Sequence, residues 1–447
     1  MMNVKAVKML VWLFPLLLLT TSCVIAPGSD QAQQLTLVYS GNLDGELEPC
    51  GCTEEGDLGG IKRRTNMVDQ LRDKHPNLFL VSAGGLLISD TPQDRLTSEY
   101  ILKGLARLDY DAVGIQWRDL AFGKEFLEQY KLPFVASNMT GNTFSPNRII
   151  RRGQHTLAYF QWLDPAADPQ RLMQGQHSSV REDTDSVKQD IAIAKRRGAT
   201  TILASTLTLE GAQRQLPLDN VDILIIRAKY EEFGEPQQVG NTLVIQPGSR
   251  GMRLGRLDLT TASNGDIRKW QHNVISLPKE VGDAPRMANW YEEYNAKVKK
   301  EYEKSVALRK ALETGESPFA GEQACEECHQ EERAVWARSR HSHAFYTLQD
   351  VKKAFDPNCI ICHTVGFDKS GGFIDPDTTP SLMHVQCESC HGAARTHVES
   401  GGAKPVANAD WPGIRMCQQC HTQPHSPSFN FDTYWPKIAH GEAPLTE

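Results

Sequence analysis

Eight of the eleven cysteines form four C-x-x-C pairs near the C-terminal end, and a histidine follows each pair directly. C-x-x-C pairs alone would also suit zinc or thioredoxin-like redox chemistry, but neither needs a histidine at every next position. Covalent haem does, because two thiols bond the porphyrin and the adjacent histidine reaches the iron. The spacing therefore predicts four haem c groups. The motifs are Cys325/Cys328/His329, Cys359/Cys362/His363, Cys387/Cys390/His391 and Cys417/Cys420/His421.

The same region holds further histidines that can bind the opposite face of each iron. Ten of the fourteen histidines lie after residue 320, and six of these stand outside the motifs. A second histidine on the iron suits an electron carrier, whereas a methionine there would raise the potential. We therefore expect bis-histidine ligation. The six candidates are His341, His343, His384, His397, His425 and His440.

Three segments resemble the cytochrome c-554-like multihaem family over about residues 320–447. Cys325-Glu-Glu-Cys-His329 is followed by Trp336 and by Ser339-Arg-His341-Ser-His343, as at the family's start. Val385-Gln-Cys387-Glu-Ser-Cys390-His391-Gly392 is similar to its third motif, although Ala393-Ala394 replaces the usual proline-glycine. Tyr434 to His440 looks like its closing segment.

This resemblance implies second axial ligands for the haem irons. It points to His341, His397 and His440, with His343 as the fourth and with His384 and His425 in reserve. Some members of the family keep one haem five-coordinate and open to small ligands, and the sequence leaves that possibility open. The haems themselves supply much of the apolar core, so we expect a mostly α-helical and irregular domain.

The N-terminal end is typical of an export signal. Lys5 and Lys8 precede an apolar run from Met9 to Leu19 that is too short to span a bilayer comfortably. Ser22-Cys23 then resembles a bacterial lipobox, which predicts a lipid on Cys23 after removal of a signal peptide and a tether over 24–34. Val24 after it favours the outer membrane. The alternative is an ordinary secretory signal with Cys23 merely nearby.

Strand and helix signals alternate over residues 35–280, which predicts an α/β domain of layered type. The predicted strands are 35–40, 78–82, 133–137, 200–204, 221–226, 243–245 and 254–259, and the predicted helices are 59–74, 98–108 and 186–197. The order resembles the 5′-nucleotidase branch of the metallophosphoesterases. The matching segments are Tyr39–Gly45, Gly59–Arg64, Leu132–Asn138 and Gly240–Gly248 with its continuation to Asp258.

The metal ligands of that family are nearly all replaced here. Asn42 and Asp44 stand where its first D-x-H motif lies. A two-metal hydrolase needs such ligands to generate hydroxide and hold the phosphate, so we expect a degenerate scaffold without a dinuclear centre, which argues against phosphohydrolase activity. The other replacements fall at Ser82–Gly85, Gln116–Asp119, Ser205–Leu209 and Arg227–Lys229.

Cys50 and Cys52 lie in the loop where the family keeps its active site. Outside the cytoplasm they would form a strained and therefore more oxidising disulfide, bind metal or stay free. One hypothesis is a redox-active thiol pair that exchanges electrons with the haems or reacts with a sulfur compound. The other is a structural clip of the turn.

Residues 284–312 are charged and have an apolar stripe of helical period. Met287, Tyr291, Tyr294, Val298 and Tyr302 form the stripe, which predicts a helix packed on one or both domains. The chain thus divides into a signal peptide (1–23), a tether (24–34), the degenerate domain (35–280), a helical connector (281–316) and a tetrahaem domain (317–447).

The net charge of −7 comes without a basic stripe, which argues against nucleic acid as a partner. The sequence predicts an exported tetrahaem cytochrome that carries electrons between periplasmic and outer-membrane redox proteins. The alternative is an oxidoreductase that uses an open haem, or Cys50 and Cys52, on a small nitrogen or sulfur compound.

Overall fold

The computed structural model describes residues 33–50, 57–91, 93–141, 143–174, 179–226, 233–313, 315–422, 425–426 and 428–441. The predicted signal peptide with Cys23 and most of the tether lie outside the described residues, as does Cys52. Of Cys50 only the backbone is described.

Fourteen strands are found in the described part of the chain. They are β1 Gln33–Ser40, β2 Pro49–Cys50, β3 Leu58–Gly59, β4 Leu78–Ser82, β5 Ala112–Gly114, β6 Phe134–Val135, β7 Arg148–Arg152, β8 His155–Trp162, β9 Thr200–Ser205, β10 Ile223–Ile225, β11 Gln237–Val239, β12 Thr242–Ile245, β13 Arg253–Thr261 and β14 Ile267–Ser276.

Fourteen α-helices accompany them in the same residues. They are α1 Ile61–Lys74, α2 Asp94–Leu105, α3 Lys124–Glu128, α4 Pro169–Gln174, α5 Asp185–Arg196, α6 Leu209–Gln215, α7 Ala288–Leu312, α8 Gln330–Ala337, α9 Ala344–Asp350, α10 Pro357–His363, α11 Cys387–His391, α12 Arg395–Glu399, α13 Gly413–Gln418 and α14 Phe431–Tyr434.

The N-terminal domain consists of two six-stranded sheets packed face to face. Their strand orders are β14-β13-β1-β4-β5-β6 and β11-β12-β10-β9-β8-β7. Strand β1 runs parallel to β4 and antiparallel to β13. Strands β4 and β9 are buried at every residue, as expected of parallel strands covered on both faces. The predicted layered α/β architecture is confirmed.

Three apolar layers hold this domain together. Leu37 and Phe79 of the first sheet meet Tyr159 and Ile202 of the second sheet in the central layer. Helices α1 and α2 cover the outer face of the first sheet, and α5 and α6 cover that of the second sheet. The functional consequence is that the loops after β1, β4, β5 and β12 converge at one end of the domain, since the parallel strands end there.

Helix α7 joins the two domains and packs on both. Trp290, Tyr294 and Val298 are buried in the outer layer of the first sheet, whereas Tyr302 belongs to the core of the C-terminal domain. The predicted stripe is confirmed except at one position, since Trp290 is buried more deeply than Tyr291, which is half-buried. The helix therefore couples the domains as a shared structural element.

The C-terminal domain is built from short helices, 3₁₀ turns and loops around one small apolar core. Phe345, Ile360, Val365 and Phe373 are fully buried at its centre. This matches the expected mostly helical and irregular domain. The motif helices α10, α11 and α13 are too short to bury a core of their own, so they rely on neighbouring segments for position.

Candidate haem-binding centre

Each C-x-x-C-H motif forms about one helical turn. In the first and fourth motifs the histidine N–H donates to the carbonyl of the first cysteine, at 2.9 Å in His329→Cys325 and in His421→Cys417. The second and third motifs lie within α10 and α11. Residues i, i+3 and i+4 of a helical turn share one face, so both thiols and the imidazole point to the same side. None of the eight motif cysteines forms a disulfide.

Cys328 differs from the other motif cysteines in its surroundings. Seven of the eight motif cysteines are half-buried, but Cys328 is exposed. The reason is local, because Glu326, Glu327 and His329 around it are exposed as well and the first motif forms a turn at the surface. Cys328 remains a predicted thioether ligand, and the first site is the most solvent-exposed of the four.

Three of the four motif histidines each lie opposite a histidine that the sequence analysis predicted as a second axial ligand. The ring centres are 6.3 Å apart in His329/His397, 6.2 Å in His341/His421 and 5.9 Å in His391/His440. An iron about 2 Å from one nitrogen of each ring, with that nitrogen about 1 Å from the ring centre, gives a separation of about 6 Å. The three pairs therefore fit the spacing that a bis-histidine haem requires.

Hydrogen bonds at Nδ1 leave the other nitrogen of these rings available. His397 Nδ1 donates to Lys404 O at 2.6 Å, and His440 Nδ1 donates to Ile438 O at 2.7 Å. His363 Nδ1 donates to Ala344 O at 2.6 Å. A carbonyl accepts only, so the proton sits on Nδ1 and the lone pair of Nε2 is free for a metal.

The remaining candidates are placed differently. His384 Nδ1 accepts the N–H of Phe345 at 3.2 Å, which puts the proton on Nε2 and removes the lone pair that iron needs. His343 bonds Ser342 Oγ at 2.7 Å. Among the ring contacts of the described residues, none joins His363 to another histidine, so His343 is not brought face to face with the second motif.

His425 lies toward the N-terminal domain rather than toward a motif histidine. Burial lowers the pKa of His425, and the nearby Glu46 carboxylate opposes that shift. Glu46 belongs to the loop after β1, so the segment that follows the fourth motif lies near the loop end of the N-terminal domain.

Contacts between cysteines of different motifs define their neighbours in space. Cys325 lies close enough to Cys387 for their side chains to interact, and so does Cys362 to Cys420. Cys390 and Cys417 are also close enough to interact electrostatically. The first motif therefore lies beside the third, the third beside the fourth, and the fourth beside the second.

A buried carboxylate inside the third motif fastens two motifs together, which sequence reasoning missed. Glu388 is 3% exposed. Its oxygens accept the N–H groups of Ala320 at 2.9 Å, Gly321 at 2.8 Å and Ala394 at 2.8 Å. Gln386 Oε1 accepts the N–H of Glu322 at 2.9 Å. The segment before the first motif is thus held on the third motif, and no local pattern distinguishes Glu388 from an exposed glutamate.

The loops that replace the metal ligands of the N-terminal domain are filled by contacts within the protein. Asn42 Oδ1 accepts Gln116 Nε2 at 3.0 Å. Asp119 is fully buried and accepts four backbone N–H groups, those of Gly85, Leu86, Leu87 and Gln116, at 2.6–3.1 Å. These side chains hold the loops after β1, β4 and β5 in place.

Two guanidinium groups neutralise the carboxylates that remain there. Asp44 pairs with Arg118 and accepts the backbone N–H of Arg250 at 2.9 Å. The side chain of Arg250, 2% exposed, pairs with Glu46 at 3.1 Å. Burial raises the pKa of Asp44 and of Glu46, and the positive charges of the arginines oppose that rise. In the described residues, no group of three or more His, Cys, Asp or Glu side chains is arranged to hold a metal ion. Arg227 to Lys229 lie outside them.

The motif cluster resembles that of a c-type cytochrome, and the α/β domain joined to it has a metallophosphoesterase-like fold. Residues 324–392 match the family described as Cytochrome c554 and c-prime. Cytochrome c-554 of Nitrosomonas europaea is 33% identical over 107 residues, which are 20% of this chain and 46% of that protein. The C-terminal resemblance is confirmed, and it supports covalent haem c, electron transport, redox protein partners and an extracytoplasmic location.

The N-terminal part is similar to 5′-nucleotidases. The snake venom 5′-nucleotidase of Naja atra is 20% identical over 292 residues, 56% of this chain and 55% of that protein. This chain thus spans about half the length of the curated relatives it matches. The N-terminal resemblance is confirmed at the level of fold.

Two solved structures share this fold. A 5′-nucleotidase precursor from Thermus thermophilus superposes with a TM-score of 0.52 at 15% identity, over 72% of this chain and 68% of that one. The sulfate thiohydrolase SoxB of Thermus thermophilus, in complex with glycerol, gives 0.51 at 17% identity, over 61% of each chain. Within the described residues, no helix is both long and apolar enough to cross a membrane.

Proposed function

We propose that this chain is an exported tetrahaem c-type cytochrome that carries electrons between redox proteins of the periplasm and the outer membrane. The observation that carries the proposal is the set of three facing histidine pairs, each of which joins a C-x-x-C-H motif to His341, His397 or His440. The eight motif cysteines would hold the four haems through thioether bonds. Haem iron would supply a one-electron couple at each site.

The protein's own residues would determine which histidines bind each haem iron and in what order the four haems lie in space. His329 and His397, His391 and His440, and His421 and His341 would be the axial pairs of the first, third and fourth sites. His363 would bind the second haem from one side. The cysteine contacts support the spatial order first, third, fourth, second.

The N-terminal domain would serve as a scaffold that places the haem domain and docks a partner. This assignment is supported by the arginine pairs that neutralise Asp44 and Glu46. A lipid on Cys23 would anchor the chain, in this proposal to the outer membrane. Replacement of Cys23 by serine would then move the protein from the membrane fraction to the soluble extracytoplasmic fraction.

A second candidate function follows from the second motif. With no histidine ring facing His363 among the described residues, the second haem would have an open face. The protein would then be an oxidoreductase that binds a small nitrogen compound there.

One experiment tests both functions: electron paramagnetic resonance of the oxidised holoprotein, with and without nitrite or hydroxylamine. We expect three low-spin centres and one high-spin centre. If only low-spin signals appear and neither ligand changes them, the oxidoreductase function is excluded and the electron-carrier function stands. A high-spin signal that shifts with ligand would support the enzyme. Fewer than four haems per chain by pyridine haemochrome assay would overturn the tetrahaem assignment.

A further inference from the structure

A buried lysine lies where the three parts of the chain meet. Lys353 precedes the second motif and is 8% exposed. Its ammonium group lies 2.7 Å from Glu48 of the N-terminal domain and 2.8 Å from Asn295 Oδ1 of the connector helix α7. It also lies 3.5 Å from Asp356 of the haem domain. Each part of the chain thus supplies one polar partner to the same cation.

The carboxylate of Glu48 is held from both sides. One oxygen accepts the Lys353 ammonium, and the other accepts the hydroxyl of Tyr291 on α7. Glu48 directly precedes β2, whose two residues pair with β3 in the register Pro49↔Gly59 and Cys50↔Leu58. Fixing Glu48 therefore fixes the chain where it enters Cys50.

Asp356 connects the same cluster to the helix of the second motif. Its side chain accepts the N–H of Asn358 at 3.1 Å and so caps the N-terminus of α10. Gln93 of the N-terminal domain also reaches Asp356, at 3.5 Å. Helix α10 carries Cys359, Cys362 and His363, so its first turn is tied to the lysine that holds Glu48.

The charges in this cluster depend on one another. Burial alone would lower the pKa of Lys353, but Glu48, Tyr291 and Asp356 together raise it, so the lysine is cationic. Without the ammonium group, the buried carboxylate of Asp356 and the half-buried carboxylate of Glu48 would lose the positive charge between them. Loss of one member of a buried ion cluster is far more costly than loss of an exposed pair.

We propose that Lys353 is a positioning residue that holds the loop entering Cys50 against the helix of the second haem site. The second site is thereby one place where the N-terminal domain meets the haem domain. This inference rests on the proposed tetrahaem function. It goes beyond that function because it assigns one contact between the domains to a particular haem site and a particular side chain.

Two variants of the holoprotein and one control test it. Lys353→Met removes the buried positive charge, and Glu48→Gln removes the negative charge while it leaves Lys353 with Asp356 and Asn295. Lys352→Met, at the exposed neighbouring lysine, is the matched control. The second haem is identified as the couple missing from a Cys359→Ser/Cys362→Ser variant.

The midpoint potential of the second haem is the first readout. Lys353→Met should lower it, because loss of a positive charge favours the ferric iron, and Glu48→Gln should raise it. Loosened packing alone would not produce shifts of opposite sign. Equal shifts in all haems, or none in the second haem, would overturn the inference.

Hydrogen exchange is the second readout. Peptides that cover residues 44–50 and 355–363 should exchange several-fold faster in both variants than in wild type and in Lys352→Met. Unchanged exchange in both peptides would also overturn the inference. If Lys353→Met fails to fold, the Glu48→Gln variant alone tests the inference, through both the midpoint potential and the hydrogen exchange. The proposed function fails separately, through the haem count and the spin states of the wild-type protein.

Discussion

His391 and His440 face each other with 5.9 Å between their ring centres, although one ends the third motif and the other lies at the end of the described chain. The hydrogen bond from His440 Nδ1 to Ile438 O orients the ring of His440. Holding two histidine side chains in such an arrangement costs side-chain entropy, and a shared iron would offset that cost. We therefore propose that the closing segment is part of the third site.

Replacement of His440 by alanine tests this assignment. Without the second imidazole, the third haem should change from low-spin to high-spin, since its iron loses a strong axial ligand. Electron paramagnetic resonance of the oxidised protein measures the change. His384→Ala is the matched control, because the Nδ1 of His384 accepts a backbone N–H and its Nε2 carries the proton. Identical spectra for the two variants would contradict the assignment.

Replacement of Glu388 by glutamine should destabilise the haem domain. The amide keeps the size of the side chain but places an NH₂ group among N–H donors, so at least one charge-assisted hydrogen bond is lost. Such bonds contribute about 1.5–3 kcal/mol each, and the free energy of unfolding in urea should fall by about that amount. The buried negative charge also favours ferric iron, so the potentials of the first and third haems should rise.

The control for that variant is Glu326→Gln, at the same place in the first motif. Glu326 is exposed and pairs with Arg333 at 3.4 Å, and exposed pairs contribute about 0–1 kcal/mol. An equal loss of stability in the two variants would show that the buried position of Glu388 has no special role.

Features with a local signal could be predicted from the sequence. The C-x-x-C-H motifs and the stripe of α7 depend on spacings of three and four residues, which a helix places on one face. The connector helix, predicted over 284–312, spans Ala288–Leu312 after a 3₁₀ turn. Strands β1, β4 and β9 were found because buried parallel strands are continuous apolar runs.

Features formed by residues that are far apart in the sequence could not be predicted in this way. Strands β8 and β14 were missed, and helix α2 begins at Asp94 rather than at the predicted residue 98. The bond between Glu48 and Lys353 joins residues 305 positions apart, and no pattern in either segment marks it. The prediction of which histidine lies opposite each motif histidine depended on the family resemblance, since the motif spacing alone left six candidates.

Replacement of Arg250 by methionine should cost far more stability than that of an exposed arginine. Its guanidinium group is 2% exposed and pairs with Glu46, so its loss removes a counter-charge from a half-buried carboxylate and should cost well above the about 0–1 kcal/mol of an exposed pair. Arg214→Met, which removes an exposed helical pair with Glu210, should cost about 0.5 kcal/mol or less. Urea unfolding followed by tryptophan fluorescence compares the two. Equal costs would contradict the role assigned to Arg250.

Phosphate release from nucleotides should not rise when Mg²⁺, Mn²⁺ or Zn²⁺ is added. A two-metal hydrolase needs several anionic or imidazole ligands at one point, whereas here Asp44 is bonded to Arg118 and to the N–H of Arg250. An active 5′-nucleotidase assayed in parallel provides the control. Metal-dependent phosphate release above that of the protein-free blank would contradict the scaffold assignment and would support a phosphohydrolase function.

Replacement of both Cys50 and Cys52 by serine tests whether the pair is redox-active. Oxidation of two thiols to a disulfide releases two protons and two electrons, and two ferric irons of the same chain can accept one electron each. If the pair is active, a reductive titration of the wild-type protein should take up two electrons more than its haems account for, and the double variant should lack them. The single variant Cys50→Ser is the control, because one thiol cannot close the disulfide and it should behave like the double variant. Equal electron counts in wild type and double variant, with electron transfer to redox partners unchanged, would leave the pair as a structural clip of the loop.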